Sequence, residues 1–114
     1  MTPAEIDAFC RALPGATMEV LWGADEVYKV GGKMFAATGP GGGLSFKAND
    51  VAFEMLVETG AARPAPYAAR QKWVLVDDPK TFPDADLRAY LTEAHALIAA
   101  KLPRKVQLQL GLAS

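Results

Sequence analysis

The first apolar stripe of the chain has helical spacing. Thr2, Pro3 and Glu5 supply an N-cap, a proline at the first helical position and the acidic partner of a capping box. The apolar positions that follow recur every three or four residues: Ile6, Phe9, Cys10 and Leu13. We therefore predict a helix that ends at Pro14-Gly15, because proline lacks an amide proton and glycine accepts the turn.

Between residues 17 and 47 the apolar pattern changes to short segments that are typical of β-strands. Glycine-rich turns divide this region into predicted strands at 17–22, 26–30, 33–38 and 44–47. Gly31-Gly32 is the clearest turn, since a two-residue hairpin needs positive φ and glycine adopts it without a Cβ clash. The region therefore predicts four successive antiparallel strands.

The second half of the chain predicts two further helices and one strand. Asn49 and Asp50 can cap a helix that runs to about residue 59, and an ordered loop is expected at 61–69. Residues 72–77 alternate like a strand, and the longest helix is predicted at about 84–102. Residues 106–110 alternate strictly, which predicts a short edge strand or an extended arm on an apolar groove.

Together these elements predict an α+β fold, in which helices flank an antiparallel β-sheet in the order α-β-β-β-β-α-β-α. An antiparallel sheet backed on one face by helices is the simplest way to bury all the apolar stripes. With 114 residues, 51% of them hydrophobic, the chain can fill one core. We therefore expect one domain over 1–114, with a C-terminal tail from about residue 105.

Charge and cysteine usage narrow the class of protein. The formal net charge is −1, so no overall field draws the chain onto nucleic acid or an anionic membrane, and such binding would need a local patch. The single cysteine, Cys10, cannot form an internal disulfide, and no apolar run reaches the roughly 20 residues of a membrane-spanning helix. A cytoplasmic protein that does not bind membranes is expected.

Several short segments carry a family resemblance through their order along the chain. They are Trp22-Gly23, Tyr28-Lys29-Val30, Gly32-Lys33-Met34-Phe35-Ala36, Leu44-Ser45-Phe46-Lys47, Pro66-Tyr67, Lys72-Trp73-Val74 and Lys101-Leu102-Pro103. In this order they resemble the YjbR/MmcQ family of small bacterial proteins. The resemblance implies a CyaY-like fold and brings no catalytic residue. Members are commonly labelled DNA-binding because their fold is similar to a double-wing domain of a phage transcription factor, which is an analogy of fold.

Basic and aromatic residues on the predicted sheet form the candidate nucleic-acid site. The basic residues are Lys29, Lys33, Lys47, Arg70 and Lys72. The aromatic residues near them in sequence are Trp22, Tyr28, Tyr67 and Trp73. Because lysines can hold phosphates and aromatic rings can stack bases, the leading hypothesis is a non-enzymatic DNA-binding module.

Two alternatives use the same residues differently. In the first, the four aromatic rings line a pocket for a small ligand or a protein partner. In the second, the lysines are the outward members of half-buried strands and the aromatic rings belong to the core. The two alternatives differ in whether the rings are accessible, which the folded structure determines.

Other residue types that often carry chemistry do not cluster in the sequence. His95, the only histidine, is expected at the surface, and Cys10 is expected to be buried. Neither has another Cys or His at ligand spacing, so we expect no metal site, no cofactor and no catalytic residue. The glycines at 39–43 lack the Gly-Lys-Ser/Thr of a phosphate-binding loop and are expected to form a hairpin tip.

Overall fold

A computed structural model describes residues 1–66 and 68–112 of the chain. Its helices are α1 Pro3–Arg11, α2 Asp50–Thr59, α3 Asp84–Ala99 and α4 Arg104–Gln109. Its strands are β1 Ala16–Leu21, β2 Asp25–Val30, β3 Lys33–Thr38, β4 Leu44–Lys47, β5 Arg63–Pro64 and β6 Trp73–Val76. The six strands form one sheet in the order β1-β2-β3-β4-β6-β5, and each neighbouring pair is antiparallel. The predicted α+β fold with an antiparallel sheet and flanking helices is therefore confirmed.

Local signals in the sequence produce the ends of several elements. At the start of α1 the Thr2 hydroxyl accepts a hydrogen bond from the Glu5 amide at 3.2 Å, and the Glu5 carboxylate accepts one from the Thr2 amide at 2.9 Å. The β2–β3 hairpin turns at Gly31 and Gly32, whose φ angles are +57° and +80°. The capping box and the two-residue hairpin are thus present as the sequence predicts.

The hydrophobic core lies between the helices and one face of the sheet. Tyr28, Phe46 and Val74 point into it from the strands, and residues from all four helices pack in or against the same cluster. α3 crosses the sheet at the centre, where the Tyr90 ring stacks on Phe46 with 5.9 Å between centroids. The opposite face, which we call the open face, carries residues such as Ala37 and lies away from this core.

The C-terminal tail differs from the prediction. The expected edge strand or extended arm at 106–110 is wrong, because Arg104–Gln109 form helix α4. Val106 and Leu110 are four residues apart, so the alternating pattern also places them on one side of a helix, where they pack against the core. Pro103 precedes the first helical residue and favours a helix start.

The strand and helix bounds in the second half also differ. Residues predicted as loop include β5, which pairs with β6, so the sheet has six strands where five were predicted. β6 begins at Trp73, because Lys72 has a φ of +63° and closes the 3-10 turn Ala69–Gln71. α3 ends at Ala99, three residues before the predicted end.

His95 is buried, which corrects the expectation that it lies at the surface. It follows Leu91 by four residues and precedes Ile98 by three, so it belongs to the apolar stripe of α3. Its side chain is only 6% exposed, and Nε2 lies 2.7 Å from the carbonyl oxygen of Pro14. The ring edge also meets Phe35 at 5.3 Å between centroids. His95 therefore connects α3 to the end of the first helix and to β3.

The helices of the described residues include none that is both long and apolar enough to cross a membrane.

Candidate nucleic-acid interface

Four lysines lie at one end of the sheet, which we call the basic end: Lys33, Lys47, Lys72 and Lys101. The antiparallel order of the strands produces this arrangement, since β3 begins, β4 ends and β6 begins at the same end. The end of α3 reaches it as well, because the Leu102 side chain lies against the β2–β3 hairpin at Gly31. Three of these lysines were candidates from the sequence, and the fold brings them to one place.

The charge of Lys47 interacts with the charges of neighbouring lysines. Its ammonium group donates a hydrogen bond to the carbonyl oxygen of Gln71. Burial lowers the pKa of Lys47, and the positive charges of Lys101 and Lys72 lower it further, while Asp50 acts in the opposite direction. Lys47, Lys72 and Lys101 are therefore close enough for the charge of Lys47 to interact with those of the other two.

Other lysine and arginine side chains form ion pairs with carboxylates. Among the described residues these pairs include Arg11 with Asp7, Lys29 with Glu19, Arg63 with Asp77 and Arg88 with Asp84. Within residues 1–66 and 68–112, no carboxylate forms an ion pair with Lys33, Lys47, Lys72 or Lys101. The positive charge of the basic end is thus left for another partner.

The other predicted basic residues differ in how they relate to this end. Lys29 lies on the open face, one residue inside the hairpin, and its charge is neutralised by Glu19. Arg70 is exposed in the 3-10 turn that leads into Lys72, so it lies beside the basic end. The structure therefore separates Lys29 from the group and leaves Arg70 next to it.

Lys72 is held in an unusual backbone conformation. Its φ of +63° lies in the left-handed region, which is uncommon for a residue with a side chain. The ammonium group lies 5.0 Å from the centroid of the Phe53 ring, close enough for a cation–π interaction with α2. The turn before β6 thus fixes one charge of the basic end against a helix.

The opposite end of the sheet is acidic. β2 begins there with Asp25 and Glu26, and Asp77 and Asp78 follow the end of β6. Arg63 neutralises Asp77, and Glu26 accepts a hydrogen bond from Tyr28. Lys80 and the N-terminal ammonium group of Met1 also lie near this end, so its carboxylates are partly offset.

A groove of about 400 Å³ runs along the open face. Trp22 lines it at one side, Trp73 and Met34 line it near the basic end, and Pro66 belongs to its wall. Trp22 is 69% exposed, and its φ of +52° directs the turn after β1. Two of the four aromatic residues proposed from the sequence thus share one accessible groove.

A third aromatic candidate, Tyr28, does not line this groove. Tyr28 is fully buried on the core face, where its hydroxyl donates to Asp7 at 2.9 Å and lies 3.2 Å from Glu26. The side of the sheet on which a strand residue points depends on register, and β2 shifts register at Tyr28/Lys29. Tyr67 lies outside the described residues.

Sequence reasoning did not select Lys101 or Met34 as site residues. Lys101 lies in the segment Lys101-Leu102-Pro103, whose family resemblance was a signal that could have included it. Met34 has no polar group to attract notice and becomes a groove residue only through its position on the open face. Both belong to the candidate interface.

Chemistry of other kinds has little support in the described part of the chain. No group of three or more His, Cys, Asp or Glu residues there is placed to hold a metal ion. Burial raises the pKa of the Cys10 thiol to about 12, so the thiolate form that acts as a nucleophile is scarce at neutral pH.

The sheet, its helices and its polar ends define a class of small α+β proteins that cover one face of an antiparallel sheet and leave the other open. The crystal structure of protein DR2400 from Deinococcus radiodurans, which carries the domain DUF419, has this fold. It matches with a TM-score of 0.87 and 24% sequence identity over 98% of this chain and 89% of that one. The YjbR family model matches residues 11–97, and the chain belongs to the YjbR family. Among curated proteins, none matches it.

Proposed function

We propose that this protein is a non-enzymatic, cytoplasmic DNA-binding module that holds phosphates at its basic end. The observation that carries the proposal is the convergence of Lys47, Lys72 and Lys101 without carboxylate partners among the described residues. Lysines and arginines at such positions contact the DNA backbone. The acidic opposite end would orient the molecule, because a polyanion repels it.

The electrostatics of Lys47 support this use of the site. Partial burial lowers the pKa of Lys47 most, the charges of Lys101 and Lys72 lower it further, and Asp50 acts in the opposite direction. A phosphate placed between these lysines would favour the charged form and would release counterions from DNA. Binding therefore relieves a repulsion that the free protein contains.

The test is a salt titration of DNA binding. A fluorescently labelled oligonucleotide of about 20 nucleotides, used as duplex and as single strand, is titrated by anisotropy between about 50 and 200 mM salt. We expect affinity to fall steeply with salt, with a logarithmic slope near −4 for a duplex that contacts four or five basic groups.

Single charge removals give a matched comparison. Lys47→Gln, Lys72→Gln and Lys101→Gln should each weaken binding and reduce the size of the slope by about 1. Lys80→Gln removes the same charge at the acidic end, next to Asp78 and Pro79, and should leave the slope unchanged. Equal effects of all four variants, or no salt-dependent binding of either DNA form, would contradict the proposed function.

A second candidate function is favoured by the groove on the open face. Its volume and its two tryptophans suit a small aromatic ligand or an aromatic side chain of a partner protein. The dye anilinonaphthalene sulfonate is a suitable aromatic, anionic probe. If the groove binds such a ligand, the dye should fluoresce on binding, and Trp22→Ala should abolish this fluorescence. Excess DNA should not displace the dye, whereas displacement by DNA would favour the first proposal.

A further inference from the structure

The groove meets the basic end of the sheet at Trp73. Trp73 lines the groove, and Lys47 lies directly opposite Trp73 in the register of β4 and β6. Lys72 precedes Trp73 in the chain, but its ammonium group lies over Phe53 of α2, so Lys47 is the lysine of the basic end that the register places on the same side of the sheet as Trp73. The only carboxylate among the groove residues, Asp25, is at the start of β2 and therefore at the far end. A bound anion would thus lie at the end where Trp73 lies.

The two tryptophans are available for stacking. Trp22 is 69% exposed although burial of so large an apolar ring would be favourable. In the part of the chain that is described, neither Trp22 nor Trp73 stacks on another aromatic ring. The core rings Tyr28, Phe35 and Phe46 find such partners on the opposite face. Among the described residues, the two groove rings therefore have no aromatic partner.

The aromatic rings and the lysines together determine which form of nucleic acid, single-stranded or duplex, this surface can bind. In a duplex the flat faces of the bases are stacked on one another, and only their edges and the phosphates are accessible. A sheet surface with aromatic rings beside lysines is a means of binding single strands, since every unpaired base can stack on a ring while phosphates meet the charges.

We infer that the open-face groove holds unpaired bases on Trp22 and Trp73 while the basic end holds the adjoining phosphates, so that the protein prefers single-stranded to duplex nucleic acid. This inference rests on the proposed function, which supplies the phosphate contacts. To the proposed function it adds that the nucleic acid is single-stranded and that a second set of residues, those of the groove, contacts the nucleic acid.

The experiment compares one labelled oligonucleotide of about 12 nucleotides with its own duplex at equal ionic strength. We expect the single strand to bind at least tenfold more tightly and to quench the tryptophan fluorescence. Trp22→Ala should weaken single-strand binding about 5- to 150-fold, the range for loss of one stacked base, and leave duplex binding unchanged. Val20→Ala is the control, since Val20 is also exposed on β1 but does not line the groove.

The results that would overturn this inference differ from those that would overturn the proposed function. Equal affinity for the two forms, or an equal loss of both in Trp22→Ala, would overturn this inference and leave phosphate binding at the basic end intact. Absence of salt-dependent binding for both forms would overturn the proposed function and this inference with it. Sedimentation of the free protein as a dimer that Trp22→Ala dissociates would assign the groove to a second copy of the chain and would also overturn the inference.

Discussion

Two buried side chains, Cys10 and Tyr28, hold protons that exposed groups of their kind lose at alkaline pH. Burial raises the pKa of Cys10 from 9.0 to about 12, and the negative charge of Asp7 adds to the effect. Burial also raises the pKa of Tyr28, together with the hydrogen bond that its hydroxyl donates to Asp7. The folded state therefore binds protons that the unfolded state releases in this range.

Alkaline pH should destabilise the fold through these two groups. Their contribution is complete well below pH 9, where both states are protonated; that of Cys10 is lost as the pH rises from about 9 towards 12, and that of Tyr28 begins to be lost above its ordinary pKa of 10.0. The expected loss is up to about 1.4 kcal/mol per pH unit for each group. Urea unfolding between about pH 8 and pH 10.5 measures it.

Cys10→Ala isolates the contribution of the thiol. The variant loses some stability at every pH because a smaller side chain fills the same site, but its stability should fall less steeply above pH 9 than that of the wild type. Parallel pH profiles of the two proteins would contradict the role assigned to the Cys10 thiol.

Turns and helix ends are the elements that the sequence predicts best. The capping box of Thr2 and Glu5 and the Gly31-Gly32 hairpin rely on interactions within a few residues, so the sequence contains their cause. β5 has only two residues and forms through its pairing with β6, so no local sequence pattern predicts it. The prediction for residues 106–110 was wrong because alternation over five residues fits a strand and one face of a short helix equally well.

The β2–β3 hairpin needs glycine at Gly31 for two reasons. The φ of +57° disfavours other residues, and a Cβ there would lie 2.6 Å from Cδ1 of Leu102, which is buried in the core. Gly32 also has positive φ but open space around it. Gly32→Ala should cost about 1 kcal/mol of unfolding free energy, and Gly31→Ala about 1 to 3 kcal/mol more. Chemical denaturation measures both, and equal losses would contradict the close approach to Leu102.

Helix α4 should stabilise the domain through Val106 and Leu110, which pack against the core. Deleting the residues after Arg104 should lower the melting temperature by about 10 °C, equivalent to 2 to 3 kcal/mol for a chain of this size. Leu108→Ala is the control, since Leu108 is 48% exposed and its loss should change the melting temperature little. An unchanged melting temperature in the truncated protein would show that α4 contributes nothing to the fold.

At the scale of the whole molecule, the separation of charge is the main finding. The sequence indicates that Lys33, Lys47 and Lys72 are near strand ends, but only strand order shows that these ends coincide. Lys101 joins them from the turn after α3, which is far away in sequence. Likewise, the sequence does not distinguish the accessible Trp73 from the buried Tyr28, because their faces depend on register and on the irregularity in β2.

The most direct test of the account is to map where nucleic acid contacts the protein. Amide and indole chemical shifts are followed by NMR while a short single-stranded oligonucleotide is added at low salt. We predict that the shifts concentrate at the β2–β3 turn, at Lys47 and Lys72, and at the indole groups of Trp22 and Trp73. Absence of shifts, or shifts concentrated at the acidic end around Asp25 and Asp78, would contradict the account.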